Sequence, residues 1–232
     1  MTKTKSHFTL VAILVAAAMV VAGSVAIASN TGFKANKAMQ VAGAGQIGNT
    51  WLSIPYFNPY GNVGTFCTAV GLVSTGITRA SVTFFDPGTG VPNQVSCGTS
   101  GATAQPIVPG LGIRVRNAGT GAPTSIIIVG SHNPALAITV PDTVVSAPAI
   151  GNYLFSVPYH TTAVTANDLC LSSGLTSTGL NRAQIFRLNP VAGTFTQVGC
   201  GTSAAIGLNL VLGEAVRLRD SNGPITFIPA HF

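Results

Sequence analysis

Charge is scarce in this sequence: only 7% of its 232 residues are Asp, Glu, Lys or Arg, against roughly 25% in an average soluble domain. Long helical bundles and coiled coils are excluded, because they need Glu, Lys, Arg and Ala at helical spacing. The five acidic residues, Asp86, Asp142, Asp168, Glu214 and Asp220, are scattered. No pair is set by spacing for glycoside hydrolysis, and no run supplies a calcium loop. The seven arginines are spread along the chain with no Lys/Arg run, so the basic, aromatic-laced patch that nucleic acid requires is missing. There is no CxxC and no His pair at ligand spacing, which removes a zinc site, and no CxxCH, which removes a c-type haem. Phosphate loops, dinucleotide fingerprints and the GxSxG nucleophile turn are absent too. The sequence therefore implies no cofactor, no metal and no enzyme.

What is abundant points elsewhere. Apolar residues make up 47% of the chain, with 27 Gly and 14 Pro, a composition against disorder. Residues 1–28 read as a secretory signal: Lys3 and Lys5, then an apolar run from Leu10 to Val21, then Ala26-Ile27-Ala28 as a small-x-small cleavage signature. The alternative is an uncleaved anchor, since the stretch from Phe8 to Ala28 is long enough to span a bilayer. No later stretch reaches that length, so no membrane span is expected in the mature chain.

The rest of the chain is a duplication. Residues 48–116 and 151–219 align without a gap, with 26 identities in 69 positions. Ser53-x-Pro55-Tyr56 matches Ser156-x-Pro158-Tyr159, Gly71-Leu72-x-Ser74-Thr75-Gly76 matches Gly174-Leu175-x-Ser177-Thr178-Gly179, and Arg114 and Arg116 match Arg217 and Arg219. Domain boundaries follow: an N-terminal segment 29–47, repeat 1 at 48–140, a linker at 141–150 and repeat 2 at 151–232. Within each copy the apolar period is mostly two. Strands are expected at Trp51–Tyr56, Ile77–Phe85, Ile113–Arg116, Ser125–Val129 and Ala135–Val140, and in copy two at Tyr153–Tyr159, Leu180–Leu188, Ala215–Arg219 and Ile225–Ile228. One short helix per copy is expected, with Thr165 to Asp168 as its start and Gly174 as its stop in copy two. The fold class is all-β: two tandem small β-sandwich or barrel domains, each with one short helix and one disulfide.

The four cysteines obey the duplication. Cys67 and Cys97, like Cys170 and Cys200, are separated by 30 residues. An even count in a secreted chain implies disulfides. Of the three connectivities, Cys67–Cys97 with Cys170–Cys200 is the one that keeps each bridge inside its own copy.

Gly48-Asn49-x-Trp51-x-Ser53-x-Pro55, a cysteine near Gly71-Leu72, Phe85-Asp86-Pro87-x-Thr89-Gly90 and Pro109-Gly110-x-Gly112-x-x-Val115 together resemble a bacterial secreted β-module with the pattern GWNLVSLP…FDPxTG…PGxGYWV. Copy two keeps Ser156-x-Pro158, Asn189-Pro190 and Gly213, but has Ala215 for the second glycine. The resemblance implies an extracellular or envelope location and a β fold, and it transfers no catalytic residue.

Among individual side chains, His160, Asp168 and Ser172 form a conceivable nucleophile set, but His160 and Asp168 replace Phe57 and Thr65 of copy one and so lie outside the shared plan. Arg114/Arg116 and Arg217/Arg219 project from equivalent strand faces, suited either to acidic polysaccharide, to a neighbouring subunit or simply to solvent. Trp51, Tyr56 and Tyr159 are suited to a sugar platform or to a core. The ends of the copies differ. Ala135–Val140 gives copy one a final strand with no counterpart after Ile228, while Asn30–Val41 precedes Gly48 as Asn133–Val144 precedes Gly151, which puts Phe33–Val41 at the repeat position of that strand. That segment either closes copy two in the same chain, adds to copy two of the next chain as a head-to-tail polymer, or stays a leader. The function expected is a secreted, non-enzymatic structural or interaction protein of the cell surface or extracellular matrix, binding itself or surface polysaccharide. The alternatives are a carbohydrate-binding module and, from the terminal Phe232, an outer-membrane barrel.

Overall fold

The computed structural model describes residues 32–41, 48–86, 91–117, 122–131, 133, 135–140, 153–180, 182–189, 192, 194–220 and 224–229. The expected signal segment, the linker 141–150, His132, His231 and Phe232 lie outside the described residues. Residues 33–232 form one compact unit made of two similar halves.

In the first half, β2 (Asn49–Leu52), β3 (Ser81–Phe85), β4 (Pro92–Ser96) and β5 (Ile113–Arg116) make an antiparallel sheet in the order β2-β5-β3-β4. In the second, β8 (Tyr153–Ser156), β9 (Gln184–Leu188), β10 (Phe195–Gly199) and β11 (Ala215–Arg219) repeat that order as β8-β11-β9-β10. Each half also carries a two-stranded antiparallel ribbon: β1 (Phe33–Ala38) with β6 (Ser125–Gly130), and β7 (Ile138–Val140) with β12 (Ile225–Phe227). Strand alternation buries one face of each sheet. Leu52, Val82, Ile113 and Val115 in the first half, and Phe155, Ile185, Val216 and Leu218 in the second, belong to one core that runs through both.

Two helices, not one, cover each core: α1 (Val63–Ala69) and α2 (Ser100–Ala104), then α3 (Ala166–Ser173) and α4 (Ser203–Gly207). α3 starts and stops as the sequence predicts. Thr165 and Asp168 form a capping box, and Gly174 ends the helix in the left-handed region at φ 71°. α1 uses Asn62 and Thr65 in the same way. The additional helices α2 and α4 are single turns capped by Thr99 and Thr202, too short to show a 3.6-residue period. The bridges are Cys67–Cys97, with Cα atoms 5.8 Å apart, and Cys170–Cys200, at 5.7 Å. Each ties the first helix of its half to the segment that leads into the second.

The ribbons correct the sequence reading of the ends. The sequence makes Ala135–Val140 the final strand of copy one, yet the strand is β7, three residues long, and it pairs with β12 of the second half, in register Ile138↔Phe227, Thr139↔Thr226, Val140↔Ile225. β1 pairs with β6 in the same way, Ala35↔Ile128 and Lys37↔Ile126. No strand is missing from copy two. Each half is closed by a strand that precedes it in the chain, and β1 acts within its own chain on the first half. The physical reason is the apolar inner edge of β6, where Ile126 and Ile128 are buried. Even a strand as polar as Phe33–Ala38 covers them by alternation, with Lys34 and Asn36 outward.

The halves meet across a seam with two-fold character. The Ser53 N–H donates to the Gly213 carbonyl and the Ser156 N–H to the Gly110 carbonyl, both at 3.1 Å. These are equivalent contacts exchanged between copies, the mark of an isologous interface. The Ser53 hydroxyl donates to the Glu214 carbonyl at 2.8 Å, the Ser156 hydroxyl to the Ile54 carbonyl at 2.9 Å. A second apolar cluster, Trp51, Phe85, Leu154, Leu188 and Ala215, fills the seam. The described strands run three to six residues, short of the roughly 9–11 that cross a bilayer. No helix among the described residues is long and apolar enough to do so.

Candidate functional site

The faces of the two sheets turned away from the main core are graded along their strands. At one end they carry the seam residues Trp51 and Phe85, or Leu154, Leu188 and Ala215. Two residues further along the central strands, the same faces become basic. Register sets the neighbours. Arg114 on β5 lies between Trp51 on β2 and Thr83 on β3. Arg217 on β11 lies between Leu154 on β8 and Phe186 on β9. Arg116 and Arg219 follow on the same faces. The exposed Gln94 and Gln197 end the two rows on the outer strands β4 and β10.

Both inner arginines are half-buried and held without counter-ions. The Arg114 Nη2 donates to the Thr83 hydroxyl at 3.1 Å. The Arg217 guanidinium lies 3.9 Å from the Phe186 ring centroid and 5.3 Å from that of Phe195, a pair of cation–π contacts. Phe195 in turn meets Trp51 across the seam, with centroids 5.1 Å apart. The Nε atoms of Arg114 and Arg217 are both buried without a hydrogen-bond acceptor, as is the Trp51 Nε1. Burial, and then the like charge of Arg116 or Arg219, lowers both inner arginines from the usual guanidinium value. Among the described residues no carboxylate pairs with any of the four; the ion pair found there is Arg187–Glu214, at 3.1 Å.

That pair borders a cleft of about 220 Å³ at the seam, lined by Lys37, Trp51, Leu52, Arg187, Leu188 and Glu214 among others. Lys37 reaches from β1 to donate to the Leu212 carbonyl of the other half. Burial lowers its ammonium. Burial raises the Glu214 carboxyl, opposed by Arg187 and Lys37. The cleft thus holds the Arg187–Glu214 ion pair, with the Lys37 ammonium bonded to a main-chain carbonyl beside it. A wider groove of about 720 Å³ between α1 and α2 is lined by Thr65, Thr68, Ser74, Thr99 and Thr103. Four of these hydroxyls already donate to their own backbone, at Asn62, Gly64, Ser96 and Ser100, so the groove presents few free donors.

The other residues singled out from sequence are accounted for in turn. Trp51 and Tyr56 are each 4% exposed and offer no ring face to a sugar. Tyr159 is half-buried and, with Tyr56, Ser156 and His160, lines a small pocket of about 10 Å³. Burial raises the hydroxyls of Tyr56, Tyr153 and Tyr159 well above the usual phenol value. The Asp168 carboxylate is committed to the Thr165 and Val164 amides, at 2.8 and 3.1 Å, and the Ser172 hydroxyl to the Leu169 carbonyl at 3.3 Å. Asp168 is thus spent on capping α3 and Ser172 on a carbonyl of the same helix, while His160 lines the small pocket beside Tyr159. The described residues contain no group of three His, Cys, Asp or Glu side chains able to hold a metal. Sequence reasoning passed over Lys37, Phe186, Arg187, Phe195 and Glu214. Their one signal is divergence between copies, since Glu214 stands where copy one has Leu111 and Arg187 where it has Phe84. No protein-family model, no curated protein and no solved structure matches the chain.

Proposed function

We propose that this is a secreted, non-enzymatic structural or interaction protein of the cell surface or extracellular matrix. One observation carries the reading: two disulfide-stapled halves are locked by reciprocal main-chain hydrogen bonds into a single unit. Such a body holds its shape against proteases and changing salt, and the bridges suit an oxidising compartment. Among the described residues, Asp168, Glu214, Arg187 and Arg217 are engaged in a cap, an ion pair and ring stacking. Strand addition between chains, within this reading, is an exchange of β1: the β6 edge covered within the chain is the edge that a second chain's β1 would cover.

The test uses the mature chain with the Asn36→Cys/Ile127→Cys pair, which are opposite residues on β1 and β6 at a separation that suits a disulfide. Electron microscopy and light scattering are run beside a non-reducing gel. A discrete particle with the cross-link inside one chain is expected of a rigid surface module. Cross-linked ladders and filaments identify the assembling form of the same role. Turnover of extracellular polymers by the purified chain, or its recovery from the cytoplasm with reduced thiols, overturns the reading.

A further inference from the structure

We propose that the two arginine rows flanking the seam form a binding face for a carboxylate-bearing polysaccharide, with Arg114 and Arg217 as inner anchors and Arg116 and Arg219 as outer contacts. The inference rests on the surface-interaction reading above and supplies its partner.

Four observations converge. The first is the absence of counter-ions: four cations stand on equivalent faces, and no described carboxylate pairs with them. A guanidinium half removed from water and left unneutralised is a cost that an arriving anion offsets. The second is preorganisation. Arg217 rests on Phe186 and Phe195, at 3.9 and 5.3 Å, and these contacts orient its fork before a ligand arrives. Stacked arginine presents parallel N–H donors that match a carboxylate two at a time. The third is repetition. Arg-x-Arg occupies the same register positions on both sheets, and both inner Nε atoms are buried without acceptors, although Arg114 is held by the Thr83 hydroxyl and Arg217 by aromatic rings. A ring chain from Trp51 through Phe195 to Arg217 joins the two rows across the seam, with Arg114 beside Trp51 in register.

The fourth is the company the arginines keep. Within one sheet, two arginines two residues apart stand about 6.6 Å apart along the strand. The rows end in the exposed amides of Gln94 and Gln197, and Asn49 lies opposite Arg116. Neutral amides and hydroxyls beside fixed cations suit a polymer of sugar hydroxyls punctuated by carboxylates. Nucleic acid is disfavoured by the same inventory. Arg217 covers the face of Phe186, and Phe195 leans on Trp51 at a tilt, so the rings are spent within the face and do not form a row of platforms for successive bases.

The experiment measures retention of the purified mature protein by polygalacturonate, by neutral dextran and by duplex DNA at several salt concentrations, with thermal melting and oligomeric state recorded on the same samples. Expected is salt-sensitive binding to polygalacturonate and none to dextran. Arg116→Gln/Arg219→Gln weakens it at least tenfold. Arg217→Lys, which keeps the charge and loses the planar fork, weakens it at least threefold. Lys34→Gln/Arg79→Gln removes equal charge away from the rows and leaves binding within twofold. The proposal is overturned if the wild type binds polygalacturonate no better than dextran, if both double variants weaken binding equally, or if DNA binds more tightly. A protein that keeps its particle size and melting point while failing to bind loses this partner but not its structural role.

Discussion

At the residue scale, Glu214 shows how a side chain is turned into a strut. It sits 15% exposed beside Arg187 and under Lys37, and burial outweighs both cations in raising its carboxyl. A carboxyl raised in the folded state keeps its proton longer than in the unfolded chain. Its contribution to stability is therefore present below the ordinary Glu value and declines as pH rises through the folded value. Glu214→Gln keeps an acceptor for Arg187 and removes the titration. The fall in melting temperature as pH rises above the ordinary Glu value should become shallower in that variant, as read by calorimetry. Asp168 has the opposite sign: amide and hydroxyl donors of Thr165 hold it below the usual carboxylate value, so its support fades as pH falls through that lowered value. Of these two acids, the capping role of Asp168 was legible, because Thr-x-x-Asp before an apolar run is a local signal. The Glu214 strut was not, because its partners are 27 and 177 residues away in the chain.

At the element scale, β5 and β11 approach closely where Gly112 meets Ala215. A Cβ built on Gly112 falls inside the Ala215 methyl and 3.0 Å from the Leu154 Cγ. The seam thus accommodates one methyl at this pair of equivalent positions. Gly112→Ala should cost about 1–3 kcal/mol, and adding Ala215→Gly should recover most of it, a reversal measurable by denaturant titration. Strand existence was legible wherever β-branched or alternating residues recur, as in Ile113–Arg116 and Ser125–Val129. The outer strands β4 and β10 escaped notice, since most residues of Pro92–Ser96 and Phe195–Gly199 are exposed and show no regular apolar period. The ribbon partners escaped for another reason. Which strand a segment pairs with is decided by an edge far away in the chain, and a polar run such as Phe33–Ala38 carries no mark of it. The basic faces were legible from Arg-x-Arg alone, whereas their stacking on Phe186 and Phe195 depends on sheet order.

At the scale of the whole molecule, the duplication, the bridges and the all-β architecture were all readable, because each depends on identity, count or period along the chain. The degree to which the halves merge was not. The one tryptophan of the chain lies in the seam at 4% exposure, which makes it a reporter of that merger. Intrinsic fluorescence and far-ultraviolet circular dichroism should trace a single coincident unfolding transition in denaturant. A fluorescence change preceding the loss of strand signal would mean that the halves part first and survive alone. Reducing either bridge should lower stability by about 3.5 kcal/mol, the chain-entropy value for its loop, and shift both signals together.

The reciprocal contacts between Ser53 and Gly213 and between Ser156 and Gly110 carry one more implication. A mutual embrace of this kind leaves neither participant with a spare hand. Lengthening such a chain by a third unit would strand that unit with nothing to grasp, so enlargement at the gene level is expected to proceed by twos, while an odd member would have to find its mate on another polypeptide.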